Sequence, residues 1–339
     1  MSKPLRIGLI GAGWVTQYHL QAWQKLAGRA AVVAIADPSS ENATVRARQF
    51  NIGQCFSRAE DMLAECELDA VDIAAPRAFH APLVRLVADR GLPVLCQKPL
   101  APTLAEAEAL ARDVDGRIRL MVHENWRFRA YYRDAASWIR DGRIGAVTAA
   151  RLTLLTSGTI PDANGQYPAI ERQPFMRGES RMLVAEVLIH HLDTLRMLLG
   201  PLDVTAAALT QTCPDIAGED GAVIQMRSRG GAGVSLFASF AAYGAPISQA
   251  DQLEILGTTG MIRLDGTQLK LTGAQSEIRA YDLAAGYQGS YDATIAHFID
   301  ALQSGAPFET SPADNLQTLR LVEDCYRLSG REASGGNAR

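Results

Sequence analysis

The sequence predicts an α/β N-terminal domain built on a doubly wound parallel sheet, followed by a larger α+β domain whose sheet is mostly antiparallel. Three observations predict it. Short apolar runs alternate with helical patterns over the first 124 residues. From about residue 125 the rhythm changes to closely spaced strand-like runs between helices. The chain also has 339 residues, more than one ordinary core organises. The expected domains are therefore 1–124 and 125–339. Alternation at this spacing means βαβ units, and strands that are apolar on both faces suit a sheet covered by helices.

Leu5 to Ile10 reads as a buried strand, followed by Gly11-Ala12-Gly13 and a helical pattern from Val15 to Ala27. Val32 to Ala36 is a second strand, ending at the turn and helix start Asp37-Pro38-Ser39. Ser57-Arg58-Ala59-Glu60 reads as a capping box for the next helix. Ala70 to Ala75 is a third strand, stopped by Pro76, and a helix from about His80 to Arg90 ends at Gly91. Pro93 to Cys96 is a fourth strand. Thr103-Leu104-Ala105-Glu106 opens an Ala-rich helix, and Ile118 to Val122 is a fifth strand.

The second domain opens with a helix from about Ala130 to Asp141. A polar stretch containing Gly and Pro runs over 157–180, and a helix from about Arg181 to Leu199 ends at Gly200-Pro201. Strand-like runs at 203–212, 220–228, 232–240, 252–257 and 260–264 imply antiparallel pairing. Two helices close the chain, near 291–303 and 312–328, the second with Ser311 as N-cap and Pro312 at its first position. The tail after Gly330 is small and polar and is expected to fray.

Composition excludes several function classes. The net charge is −4, with Lys and Arg spread along the chain, which is no electrostatic footprint for nucleic acid or an anionic membrane. The five Cys form no C-x-x-C pair and are odd in number, against a disulfide framework or a structural zinc. No apolar stretch is long enough to span a bilayer, and no signal peptide fits the N-terminus, so a cytoplasmic setting is expected.

Phosphate binding needs backbone N–H groups at a helix N-terminus with nothing bulky in front of them. Gly11-Ala12-Gly13 between a strand and a helix meets that need, with Trp14 and Val15 at the helix start, although Thr16 stands where a third glycine is usual. Asp37, at the end of the second strand, is placed to accept ribose hydroxyls and to repel a 2′-phosphate, so NAD is expected over NADP. The alternative is an ordinary tight turn, with Asp37 only capping a helix.

Taking a hydride from an alcohol carbon requires a base for the hydroxyl proton and a donor for the forming oxyanion. Lys98, in Gln97-Lys98-Pro99, follows the fourth strand at the carboxyl end of the sheet, where ligands bind in open α/β folds. Glu186 and His190 are four residues apart on one helix and share a face, which Asp193 borders, while His191 points elsewhere. His190 is the candidate proton acceptor, with Glu186 orienting it or touching substrate. A satisfied core histidine beside a surface Glu is the alternative. No third ligand at a telling spacing supports a metal.

In order along the chain, Ile7–Gly13 with His19, Asp69–Pro76 with His80-Ala81, Val94–Leu100, Asn125–Phe128, Glu186–Asp193 and Leu253–Gly260 resemble the motifs of the Gfo/Idh/MocA oxidoreductases. The resemblance covers nearly the whole chain. It implies a Rossmann domain plus an open, largely antiparallel sheet whose outer face commonly forms a subunit interface, hence a homodimer or homotetramer. It implies Lys98 and His190 as catalytic on sugars, polyols or cyclitols, and a Lys98–Pro99 bond that is cis. By the same likeness, Ala75, Pro76, His80, Gln97, Lys98 and Asn125 join the cofactor residues, and Trp126 and Arg127 join Lys98, Glu186 and His190 at the substrate. The chain departs from the family at Gln97, where Glu is usual, and at Glu186, where Asp is usual. The expected activity is NAD-dependent oxidation of a hydroxyl on such a compound, with a free aldose such as a pentose among the candidates. The rivals are a glycoside hydrolase that oxidises its substrate transiently, and a dinucleotide-binding sensor.

Overall fold

The computed structural model describes residues 3–248 and 250–331. The polar tail, from residue 332 on, lies outside the described residues. The chain divides into two compact units: residues up to Phe128 together with Tyr287–Leu319, and Arg129–Gly286 together with the chain from Arg320. A single boundary after residue 124 expects one segment per domain. The first unit instead takes back a late segment, because Tyr291, Ile295, Phe298 and Ile299 share one core with Ile7, Trp23, Leu95 and Met121. That burial outweighs the modest entropy of closing a long loop.

In the first unit, β1 (Leu5–Ile10), β2 (Ala30–Ala36), β3 (Gln54–Phe56), β4 (Ala70–Ile73), β5 (Val94–Gln97) and β6 (Leu120–His123) form one sheet in the order β3-β2-β1-β4-β5-β6. Every pairing is parallel. The strand order reverses between β1 and β4, the topological switch point at which open α/β sheets bind ligands. Strand β3 is the one the sequence pattern does not show, because three residues are too few for a periodicity. Leu9, Leu20, Ile35, Ala43 and Ala47 make a second core cluster.

Helix starts follow local chemistry. Ser39 caps the helix Ser40–Phe50 by accepting the Asn42 N–H at 3.2 Å, and Thr103 caps Leu104–Val114 through the Glu106 N–H at 3.2 Å. The expected capping box at Ser57 does not form. The helix Ala59–Glu65 has Arg58 as its N-cap, with no side-chain cap. Ser57 is left in the turn out of β3, one residue too early to serve.

In the second unit, β7 (Val147–Leu155), β8 (Leu202–Thr210), β9 (Gly221–Ser228), β10 (Gly233–Ser239), β11 (Gln252–Gly257), β12 (Gly260–Asp265), β13 (Gln268–Gly273) and β14 (Glu277–Ala280) form one sheet in the order β14-β13-β12-β11-β7-β10-β9-β8. All pairs are antiparallel except β7 with β10. The sequence pattern misses the central strand β7, whose inward side is only Ala150, Leu152 and Leu154 among Thr, Ala and Arg. It also misses β13 and β14. The polar stretch 157–180 contains a short helix, Pro168–Arg172, and a 3-10 turn, Pro174–Arg177.

Candidate active site

The turn after β1 is shaped for a phosphate. Gly11 has φ +108°, and a Cβ there would meet the Ala74 carbonyl oxygen at 2.6 Å, so only glycine fits. A Cβ at Gly13 would meet open space, so the approach to the turn is clear. The helix Thr16–Lys25 starts after Val15 with no side-chain cap, which leaves its first N–H groups for an anion. Thr16 is fully buried, and its hydroxyl donates to the Gly11 carbonyl at 3.3 Å, so it braces the turn from behind. Trp14 is exposed and packs edge-on against Tyr18. Arg46, which sequence reasoning did not single out, donates to the Gly13 carbonyl at 3.2 Å.

Asp37 stands at the tip of β2, half-buried. Its Oδ2 accepts the Ala12 N–H at 2.7 Å and its Oδ1 the Ser39 N–H at 2.8 Å. A carboxylate has about four acceptor positions, so two remain for hydroxyl donors. These features together fit a bound dinucleotide.

The tips of β4 and β5 carry the next group. The Lys98–Pro99 bond is cis, as the resemblance implies. Lys98 is half-buried, and its N–H donates to Oε1 of the buried Gln97 at 2.7 Å. His80 is buried, with Nδ1 2.7 Å from the Pro99 carbonyl and Nε2 2.8 Å from the Ala75 carbonyl. Its ring therefore links the segment after β4 to the segment after β5. Ala75 is half-buried and Pro76 exposed at the same edge.

Asn125, Trp126 and Arg127 lie in the segment after β6 and are all buried. Asn125 Nδ2 donates to the Ser290 hydroxyl at 2.7 Å. Trp126 packs edge-on to Tyr287. Arg127 donates to Asp314 at 2.7 Å and lies 3.7 Å from a carboxylate oxygen of Glu309. Every one of these partners belongs to the first unit.

In the second unit, the expected continuous helix from Arg181 begins instead as a π-helical turn, Leu183–Leu188, and continues as the α-helix Ile189–Leu199. Glu219 caps its start, its backbone carbonyl accepting the Leu183 N–H at 3.2 Å and its Oε1 the Val184 N–H at 2.9 Å. The same Oε1 takes the Tyr326 hydroxyl at 2.6 Å. π-Turns of this kind are frequent at functional sites. Glu186 lies within the turn, half-buried, and His190 lies just past it, buried, with its carbonyl accepting the Thr194 hydroxyl at 2.8 Å.

His191 Nε2 is 2.9 Å from Oδ1 of the fully buried Asp251. Tyr132 donates to the other oxygen of Asp251 at 2.8 Å. Burial alone would raise Asp251. The charge and hydrogen bond of His191, with Arg129 and Tyr132, outweigh it and hold the carboxyl well below the ordinary range. Asp193 is buried, with Arg196 at 3.6 Å. Burial, then the nearby charges of Asp324 and Glu219, push the Cys325 thiol up to about 12, which keeps it protonated. Among the described residues no group of His, Cys, Asp and Glu could hold a metal ion, and no helix is long and apolar enough to cross a membrane.

Residues 5–123 match the family model described as oxidoreductase family, NAD-binding Rossmann fold, and residues 132–263 match the model of the GFO/IDH/MocA C-terminal domain. The chain is 32% identical to D-apiose dehydrogenase of Paraburkholderia graminis, over 97% of this chain and 88% of that protein. It is 28% identical to inositol 2-dehydrogenase of Rhizobium meliloti, over 95% and 96%. A solved oxidoreductase of Agrobacterium radiobacter, in complex with NAD+, L-tartaric acid and magnesium, superposes with a TM-score of 0.90 at 30% identity, over 97% of each chain.

Proposed function

The chain belongs to the Gfo/Idh/MocA oxidoreductase family, and from that membership we propose that it is an NAD-dependent dehydrogenase oxidising a hydroxyl of a free aldose, a pentose such as D-apiose first, with cyclitols such as inositol next. The observation that carries this reading is the near full-length likeness to D-apiose dehydrogenase, together with a lysine anchored at the tip of β5 beside the switch point.

NAD, when bound, supplies the hydride acceptor. Gly11, Gly13 and the start of the helix Thr16–Lys25 take its phosphates, and Asp37 takes ribose hydroxyls. Lys98 donates a hydrogen bond to the substrate oxygen as charge develops on it, and His190 receives the hydroxyl proton. Glu186 orients the imidazole or the substrate. A site that pairs each hydroxyl with a fixed polar group rejects sugars of the wrong configuration, because a mismatch leaves a buried group without its partner.

The protein is cytoplasmic in this reading, in keeping with its unpaired cysteines. It forms a homo-oligomer through the open face of the eight-stranded sheet. That face exposes Val223 opposite Phe237 on neighbouring strands, with Leu256 beyond them, around the Arg151–Glu254 ion pair at 2.6 Å. Sedimentation velocity tests the assembly, and a monomer would contradict it.

The activity is tested by nicotinamide absorbance with NAD and a panel of D-apiose, other pentoses, hexoses and inositols, with Lys98→Met in parallel. NADH formed from one class, and lost in the variant, is the expected result. Cleavage of glycosides with no net NADH would move the assignment to hydrolysis. Dinucleotide binding with neither activity would move it to a sensor.

A further inference from the structure

Behind the tip of β5, three side chains with almost no access to solvent form a continuous hydrogen-bonded line. His19 and Asp72 are fully buried and Gln97 is 9% exposed. Asp72 Oδ2 receives the indole N–H of Trp23 at 2.8 Å and lies 2.9 Å from His19 Nδ1. A carboxylate accepts only, so Nδ1 of the imidazole carries the hydrogen. In the neutral ring Nε2 then holds a lone pair, and Gln97 Nε2 lies 3.2 Å from it, as its donor. The opposite end of the same amide, Oε1, accepts the Lys98 N–H at 2.7 Å. A flipped amide would set oxygen against the imidazole lone pair and N–H against N–H. The His19 tautomer and the Lys98 N–H therefore agree on which way Gln97 faces.

We propose that His19 is a positioning residue for Lys98. Asp72 sets the His19 tautomer, His19 orients the Gln97 amide, and Gln97 holds the backbone from which the Lys98 side chain leaves the strand tip. The inference rests on the role given to Lys98 above. It also accounts for the amide at position 97. A carboxylate there would face the imidazole lone pair, acceptor against acceptor, unless the ring took a second proton. The groups around the ring bear on that second proton. Asp72 approaches from β4. From β5 come Gln97 and the Cys96 thiol, which burial and then the charge of Asp72 keep protonated. His123, from β6, stacks on the ring at 4.2 Å, and Tyr291, from the helix Leu283–Ser304, meets its edge at 5.4 Å.

Two readouts test this without turnover. The chain has four lysines, Lys3, Lys25, Lys98 and Lys270. Reductive methylation with 13C-formaldehyde therefore gives a sparse spectrum in which the Lys98 signal is the one lost in Lys98→Met. His19→Phe is expected to move that signal to the position of the exposed Lys3 and Lys25, and His19→Gln, whose amide can both donate and accept, to restore much of its shift. Nitrogen-15 spectra of histidine-labelled protein are expected to show His19 as the Nδ1–H tautomer at neutral pH, and Gln97→Glu to convert it to the doubly protonated ring. A Lys98 signal unmoved by His19→Phe, or a neutral His19 retained in Gln97→Glu, overturns the proposal. Should His19→Phe fail to fold, Gln97→Leu carries the lysine readout by the same criteria. Wild-type turnover in Lys98→Met would sink the role of Lys98 itself, a result separate from either spectrum.

Discussion

Asp37 and Ala12 are joined across the cofactor turn. The carboxylate at the tip of β2 accepts the Ala12 N–H at 2.7 Å, between the two glycines that clear the way for a phosphate. One side chain thus shapes the turn, and in the proposed function it also presents acceptors to a ribose. Replacing Asp37 by Ser is expected to weaken NAD binding about 10- to 100-fold, the scale of one charge-assisted hydrogen bond or two, and to narrow the gap to NADP. Titrating both cofactors by fluorescence checks this. NADP binding as tightly as NAD in the unmodified protein would contradict the role given to Asp37.

Gly11 tolerates no side chain. Its φ is +108°, and a Cβ would press on the Ala74 carbonyl at 2.6 Å. Gly11→Ala is expected to cost about 1–3 kcal/mol of strain and to lower NAD affinity through displacement of the turn. Thermal melting with and without NAD measures both, and Gly13→Ala, with open space around its Cβ, is the milder control.

The roles proposed for Lys98 and His190 predict that their loss separates binding from chemistry. Lys98→Met is expected to lower kcat about 100- to 1,000-fold, as for loss of one oxyanion donor, with NADH affinity nearly unchanged. His190→Asn is expected to lower it about 100- to 10,000-fold, the range for a general base. Steady-state kinetics on the active panel substrate provide the comparison. Equal kcat values for wild type and either variant would remove that residue from the chemical step.

Asp251 and His191 set an acid limit on stability. The carboxyl of Asp251 is depressed in the folded protein, so its contribution is fully present above the unfolded value of about 3.9 and is lost as pH falls towards the folded one. The window is therefore below about pH 4. Asp251→Asn is expected to destabilise the protein by about 3–5 kcal/mol near neutrality, because it breaks a buried pair on one side. Denaturant melts of both proteins at neutral pH and in acid test it. The gap should shrink in acid, and a gap that stays constant with pH would exclude the ionic contribution.

Much of the candidate site is legible in the sequence. Gly11, Gly13 and Asp37 announce themselves because a strand, a turn and a helix follow one another locally, and phosphate chemistry needs that local order. Lys98 was legible for the same reason, as the residue at which an apolar strand stops. The supporting shell was not. His19 and Asp72 are 53 residues apart, His19 and Gln97 are 78 apart, and Arg127 and Asp314 are 187 apart. None of these pairs leaves a periodic trace. The cap on the π-turn before His190 was hidden too, because it is Glu219, 35 residues beyond the N–H it accepts at Val184.

The sequence by itself determined the order of the helices and of the strands other than β3 up to residue 124, the glycine turn after β1, the acid at the tip of β2 and the lysine at the tip of β5. Each follows from neighbours along the chain, where backbone geometry and apolar period act over a few residues. Only the tertiary structure decided that Tyr287–Leu319 return to the first unit, that Arg127 is held by Asp314, and that β7 lies at the centre of its sheet between β10 and β11. It alone brings the Gln97 amide within 3.2 Å of His19. These depend on which distant surfaces bury one another and which buried polar atoms must then find a partner, and a buried donor or acceptor takes the partner that folding brings to it.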